Sequence, residues 1–300
     1  MGDALNESVS IIIPTRNRAS ALGECIESLA QQAGQAPGFE IIVVDDGSTD
    51  ETAALLARLA PKVPVPLRFF RQPTPCGANA ARNLGVREAS GEIVVFIDDD
   101  ALAPEGWFHA LTSGFSACGM PVATGPVHLK TEGKLPGRHR GEAATFLTEV
   151  HDPTSAPNGH LVPVSCNMIG FRRDFERTKF DEEVLAPNEE TDWLLRAGIP
   201  VAFLPDAWIW HYKKKEELKR LRLLRLAWRR GGENGRWTRE KLGLPFRRRV
   251  VDAGKAFGAA TRAYAHGLLR WCWGGLLVGA SQTSRGLVLL GLSRRNGFRG

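Results

Sequence analysis

Residues 91–105 read GEIVVFIDDDALAPE. The largely apolar stretch GEIVVFI (91–97) passes directly into three carboxylates, Asp98, Asp99 and Asp100. The stretch is short and apolar apart from Glu92 near its start, so it reads as a buried β-strand. Adjacent like charges repel, and a buried carboxylate is costly unless something compensates it. The cluster therefore asks for a cation. In an extended chain, side chains i and i+2 point the same way, so Asp98 and Asp100 face one point and Asp99 another. Two carboxylates converging at a strand end form a hard, oxygen-rich site suited to Mg²⁺ or Mn²⁺. Mg²⁺ takes only one or two protein carboxylates and completes its shell with water and phosphate oxygens, which a nucleoside diphosphate would supply. The simpler use of the same residues is a solvated acidic turn ahead of the helix at Pro104.

Upstream, VSIIIPT (9–15), FEIIVV (39–44) and PLRFFRQ (66–72) read as three further strands. Between them ASALGECIESLAQQ (19–32), ETAALLARLA (51–60) and GANAARNLGVREA (77–89) read as helices. Leu22, Cys25, Ile26 and Leu29 recur at helical spacing, and Ser48 with Glu51 fits a capping box. This alternation predicts a mostly parallel sheet covered by helices, with ligands beyond the carboxyl ends of the strands. Three polar clusters fall at such ends: 15–18, 45–50 and 98–100. Their shared placement points to one site. Asp45 and Asp46 either accept hydrogen bonds from a base or ribose, or only shape a turn. Arg82 lies on a helix with a Gly-rich start, where a guanidinium and the helix N-terminus both favour an anion.

Downstream, 104–118 reads as a helix, 121–127 as a strand, 188–198 as a short helix and 200–205 as a strand. Residues 128–163, rich in Gly, Pro and His, read as a mobile or substrate-shaping loop. NEETDW (188–193) places Glu189, Glu190 and Asp192 at a helix start, suited to a general base or simply to the helix dipole. His211 in WIWHY either ligates a metal or packs among aromatics.

The 300 residues are 43% hydrophobic and 24% charged, the composition of an ordinary globular protein. Five scattered cysteines without a CxxC pair argue against a disulfide framework or zinc site and for a reducing compartment. MGDALNESVS has neither the basic nor the apolar region of a signal peptide, and no apolar run is long enough to predict a spanning helix. Charge is strongly segregated. Residues 213–300 carry 22 Lys and Arg against five Asp and Glu, whereas 1–212 carry 17 against 28. In KKKEELKRLRLLRLAWRR (213–230), Leu218, Leu221, Leu224 and Trp228 recur at helical spacing among basic residues. LLRWCWGGLLVG (268–279) is apolar and Trp-rich, and two arginines follow at 294–295. An interfacial helix on anionic lipid has this composition, as does a helical bundle with solvated Arg faces. No nucleic-acid motif accompanies the charge, so no nucleic-acid partner is expected.

Together VSIIIPTRNR, EIIVVDDGSTDET, GANAARNLGVREASGEIVVFIDDDALAPEGW, SCNMIGFRRDF, FDEEV, NEETDWLLRAG and WIWHY resemble the family 2 glycosyltransferases of the GT-A fold. The resemblance covers about residues 9–212. It implies direct transfer of a sugar from a UDP- or dTDP-sugar to a hydroxyl acceptor, with inversion, in glycan, glycolipid or polysaccharide synthesis. Carried over to this chain, Pro14, Thr15 and Arg16 would line the nucleotide pocket, and Asp46 with Asp45 would hold the base. Arg82 would lie near the base and diphosphate. Asp98 would contact the ribose or metal, with Asp99 in the same nucleotide-binding set. Asp100 would be the main ligand of Mn²⁺ or Mg²⁺, and His211 stands near a ligand position used by some members. Glu190 occupies the place of the family's catalytic Asp, a departure that leaves Asp192 as a competing base.

The implied organisation is a nucleotide-sugar half (1–127), an acceptor half (128–212) and a basic helical extension (213–300). The implied location is the cytoplasm, peripheral at the inner face of the membrane. A sugar-nucleotidyl transferase would need a Gly- and Lys-containing loop after its first strand, and PTRNRAS has neither. A non-catalytic, membrane-attached nucleotide-binding protein is the remaining alternative.

Overall fold

The computed structural model of the chain describes residues 8–34, 38–133, 163–185, 188–240, 246–269, 281–283 and 285. Strand β1 (Val9–Thr15) lies between β2 (Phe39–Asp45) and β4 (Ile93–Ile97), parallel to both, and β3 (Leu67–Arg71) extends the parallel set beyond β2. Every residue of β1, β2 and β4 is buried, the polar Ser10 and Glu40 included, as befits predominantly apolar strands covered on both faces.

Alternate side chains feed two cores. Ile11, Ile13, Ile41, Val43 and Val95 meet Leu22, Ile26 and Leu29 of α1 (Ala19–Ala30) and Trp107 and Phe108 of α4 (Trp107–Cys118). Ile12, Ile42, Val44, Val94 and Phe96 meet Ala81 and Val86 of α3 (Ala78–Glu88), Phe175 of α5 (Arg172–Arg177) and Trp193 of α6 (Glu189–Ala197). Helix α3 approaches β1 so closely that a Cβ on Gly85 would stand 2.3 Å from the Ile12 side chain. Helix α2 (Thr52–Leu59) completes the first half.

Beyond β4 the sheet turns mixed. Strand β8 (Asn167–Phe171) runs antiparallel to both β4 and β6 (Val122–Thr124), and β9 (Val201–Phe203) is parallel to β6. The order is β3-β2-β1-β4-β8-β6-β9, so four of the six pairings are parallel. Three short strands, β5 (Ala101–Leu102), β10 (Ile209–Lys213) and β7 (Val127–Thr131), form a second sheet.

Several local expectations are corrected. The single strand expected at 121–127 is two strands in different sheets, because Pro126 breaks the ladder and Gly125 passes the backbone of Ala207, whose oxygen would lie 1.9 Å from a Cβ there. Asn167 secures this crossing: its Nδ2 donates to Pro126 O and Ala207 O, and its Oδ1 accepts from Trp107 Nε1. Helix α4 begins at Trp107 rather than at 104, after a left-handed Gly106. The Ser48–Glu51 capping box does not form. The Ser48 hydroxyl accepts from Asn17 N–H instead, and Asp50 accepts from Thr52 N–H and Ala19 N–H, serving the first turns of α2 and α1 together.

The described residues divide into two compact units. The first comprises 8–34, 38–130, 163–183 and 189–212 and holds both cores. The second comprises 131–133, 184–185, 188 and everything described from 213 onward, including α7 (Arg220–Glu240) and α8 (Phe246–Leu269). The apolar stripe expected from Leu218, Leu221, Leu224 and Trp228 is displaced. Leu218 belongs to a short 3-10 turn before α7, the helix buries Leu223, Ala227, Gly231 and Thr238, and Trp228 is exposed. The segment 270–279, the arginines at 294–295, most of the 128–163 loop and residues 1–7 lie outside the described residues. No helix among the described residues is long and apolar enough to cross a membrane.

Candidate functional site

The carboxyl ends of β1, β2 and β4 lie side by side, which brings the three polar clusters into one network. Asp46 N–H donates to Thr15 O, and the Thr15 hydroxyl donates to Asp99 Oδ2 at 2.7 Å. Asn17, left-handed at φ 53°, turns the chain so that its Oδ1 accepts from Thr49 N–H at 2.7 Å. Asp45 Oδ1 accepts from Ser48 N–H, and Arg71 donates to Ser48 O. Asp46 accepts from Cys76 N–H at 2.6 Å and Gly77 N–H at 3.0 Å, which sets its charge against the start of α3, the favourable end of that dipole. Pro14 and Thr15 are buried, and Arg16 is exposed at the strand end.

Asp98 and Asp100 turn to a common point and Asp99 turns away, toward Thr15. The partner at that point is His211. Strand β10 pairs with β5 so that His211 lies opposite Ala101, and Tyr212 N–H donates to Asp100 O. The ligand atoms of Asp98, Asp100 and His211 all lie within 4.8 Å of one another. His211 Nε2 is 2.9 Å from Asp100 Oδ1, and Arg18 Nη1 donates to Asp100 Oδ2 at 2.6 Å and Asp99 Oδ1 at 3.1 Å. Burial pushes the Asp99 carboxyl up to about 7; Arg18 and Thr15 oppose the rise, while Asp100 and Asp98 add to it. Two hard carboxylates and one imidazole, one wall of the site open through the part-exposed Asp98, form a donor set that suits Mn²⁺ or Mg²⁺.

Arg82 links this trio to α6. It is buried, donates to Asn79 Oδ1, and lies 3.4 Å from Asp98 and 3.8 Å from Glu189. Burial pulls its pKa down, but Asp98, Glu189 and Glu190 outweigh that and hold it above the ordinary value. Glu190 Oε1 accepts from Ser165 N–H at 3.0 Å. Asp192 is held instead by Arg196, one turn along the same helix, at 2.8 Å.

Arg18 and Ser165 are therefore built into the site although no spacing rule singles them out, while Glu189, named with Glu190 and Asp192 as a helix-start carboxylate, faces Arg82. The carboxylate partners of Arg18 lie 81 and 82 positions away in the chain. Only the position of Arg18 in a strand-end polar cluster hinted at it.

A sequence profile described as Glycosyl transferase family 2 matches residues 10–178, more than half of the chain. The chain is 38% identical over 188 residues to the GalNAc(5)-diNAcBac-PP-undecaprenol beta-1,3-glucosyltransferase of Campylobacter jejuni, covering 62% of this chain and 58% of that protein. It is 32% identical over 119 residues to the glycosyltransferase AglE of Haloferax volcanii, covering 40% and 39%. In both cases the match takes in less than two thirds of the relative's length. Among solved structures, the mannosyltransferase PcManGT from Pyrobaculum calidifontis, in complex with GDP-Man and Mn2+, superposes with a TM-score of 0.58 at 21% identity, covering 80% of this chain and 68% of that one. S. aureus TarS 1-349 in complex with UDP superposes with a TM-score of 0.55 at 17% identity, covering 92% and 90%. These likenesses establish the fold, the α/β arrangement of GT-A glycosyltransferases.

Proposed function

The chain belongs to glycosyl transferase family 2, and from that premise we propose that it moves a sugar from a UDP- or dTDP-sugar to a hydroxyl acceptor with inversion at the anomeric carbon. The observation that carries this reading is the convergence of Asp98, Asp100 and His211 at a strand end, with Glu189 and Glu190 joined to them through Arg82.

In this reading Pro14, Thr15, Arg16, Asp45 and Asp46 line the nucleotide end, and Asp98 and Asp99 lie beside the ribose. Asp98, Asp100 and His211 would hold a divalent ion. A bound Mn²⁺ or Mg²⁺ supplies positive charge against the leaving diphosphate. Arg82 keeps Asp98 and the start of α6 in register. Glu190 takes the proton of the acceptor hydroxyl as that oxygen attacks carbon one from the face opposite the diphosphate. Asp192 is engaged by Arg196 on its own helix, which supports Glu190 as the base. Alignment of the acceptor lowers the barrier further, and a single displacement needs no covalent sugar–protein intermediate.

Residues 1–127 form the donor half and 128–212 the acceptor half. The acceptor is a glycan or lipid-linked hydroxyl of cell-surface synthesis, a reading supported by the relative named for an undecaprenol-linked substrate. Residues 213–300 attach the protein peripherally to anionic lipid at the cytoplasmic face of the membrane, supported by their 22 basic residues.

Thermal unfolding with a panel of nucleotide sugars, with Mn²⁺ and with EDTA, tests the reading. The expected result is a rise in Tm for one donor with Mn²⁺ that EDTA removes, followed by release of the nucleoside diphosphate when the acceptor is added. A panel with no stabilising member overturns it.

A further inference from the structure

We infer that Arg18 competes with the divalent ion for Asp100: its guanidinium must leave that carboxylate before the ion can take it. The inference rests on the proposed metal position at Asp98, Asp100 and His211. Asp100 is buried and divides its oxygens between two partners, Oδ1 facing His211 Nε2 at 2.9 Å and Oδ2 accepting from Arg18 Nη1 at 2.6 Å. An ion coordinated by Asp98, Asp100 and His211 stands about 2 Å from its ligand atoms. That puts its charge within a few ångströms of the guanidinium, where two cations repel strongly with few waters between them.

Arg18 is the partner able to yield. Its side chain is 38% exposed, and it occupies the N-cap of α1 with non-helical backbone angles; its carbonyl accepts from Leu22 N–H, so the backbone is anchored while the guanidinium lies toward solvent. Arg82, which lies against Asp98, is only 4% exposed and is gripped by Asn79 as well as by Asp98 and Glu189. Arg18 also has a second anchor. Asp99 Oδ1 accepts from the same nitrogen at 3.1 Å, and Asp99 faces away from the proposed metal point. A small pivot onto Asp99 releases Asp100 while the guanidinium stays in an ion pair. The consequence is a site that holds two buried carboxylates neutralised yet binds a free ion weakly, so that the ion loads together with an anion able to draw Arg18 outward.

The test is Mn²⁺ binding, read from the free-ion electron paramagnetic resonance signal, on the full-length wild type, Arg18→Gln, Arg18→Lys and Asp100→Asn. A charge-assisted hydrogen bond from a part-exposed arginine falls at the weak end of its class. Arg18→Gln is therefore expected to bind Mn²⁺ about tenfold tighter than wild type, with Arg18→Lys between them and Asp100→Asn weaker than all three. Melting temperatures form the second readout. Arg18→Gln should melt below wild type in EDTA, and the gap should close at saturating Mn²⁺, because the ion then replaces the lost counter-charge. Equal or weaker Mn²⁺ binding by Arg18→Gln overturns the inference and leaves the metal reading standing, as does a melting gap that Mn²⁺ does not change. If no variant and no wild-type protein binds Mn²⁺, the inference and the metal reading fall together.

Discussion

Glu190 and Asp192 stand two residues apart on α6, both buried, and differ in what holds them. Glu190 accepts from the backbone of Ser165 and acts on Arg82, whereas Asp192 faces the guanidinium of Arg196. Glu190→Gln keeps the shape and removes the base, so kcat should fall by about 10²–10⁴-fold with KM nearly unchanged. Asp192→Asn removes an i,i+4 pair whose arginine is part-exposed, so stability should drop by only about 0.3–0.5 kcal/mol and kcat should stay within a few-fold. Steady-state kinetics on the two variants separate these outcomes, and equal losses would remove Glu190 from its proposed role. Asp100→Asn should lower donor affinity in the presence of Mn²⁺ by at least about 100-fold while leaving affinity in EDTA as in wild type, a comparison calorimetry reads directly.

Strands β1, β2 and β4 were legible as strands because their apolar runs tolerate no wet face. Their parallel order also followed from the helices between them. Glu40 is the exception inside β2. It is buried and accepts from Ser10, from the backbone and hydroxyl of Ser90, and from Arg68, thereby joining β1, β3 and the turn before β4. Burial alone would raise its pKa, but the bonds from Ser90, Ser10 and Arg68 prevail and hold it below the usual glutamate value. A depressed folded pKa stabilises the fold above the unfolded value of about 4.3 and loses that contribution as pH falls through the folded value. Glu40→Gln should therefore lower stability by about 1–3 kcal/mol at neutral pH. The gap between the two proteins should narrow as pH falls below about 4, as denaturant titration at several pH values would record. A gap independent of pH would mean that packing, not charge, is what Glu40 supplies. The strand at 121–127 and the stripe on α7 differ from the expectation for a common reason: periodicity cannot show where Pro126 forces a change of sheet, nor that α7 buries the face of Leu223, Ala227 and Gly231 and exposes Trp228.

Across the whole molecule, charge is the dominant asymmetry, with an acidic stretch to residue 212 and a strongly basic one after it. On α7 the exposed face carries Arg222, Arg225, Arg229 and Trp228 together, opposite the buried Leu223, Ala227 and Gly231. Basic residues at a lipid surface contribute about 1 kcal/mol each. The variant Arg225→Glu with Arg229→Glu should accordingly reduce co-sedimentation with phosphatidylglycerol vesicles by at least tenfold, roughly the effect of removing 1.4 kcal/mol. Binding to phosphatidylcholine vesicles should remain low for both proteins, and added salt should weaken the wild-type interaction. Unchanged co-sedimentation with the acidic vesicles would count against a lipid-facing α7.

The α/β class and the strand ends where polar residues gather can be read from the sequence, because apolar runs are local properties; Asp98 and Asp99 do diverge, but in the turn after β4 that Ala101 N–H closes onto Asp98 O, not along an extended strand. Only the tertiary structure decided that His211 closes on Asp100 from 111 positions away, that Arg18 holds both Asp99 and Asp100, and that Arg82 spans Asp98 and Glu189. Ion pairs across such separations depend on strand order and register, which no short stretch of chain encodes.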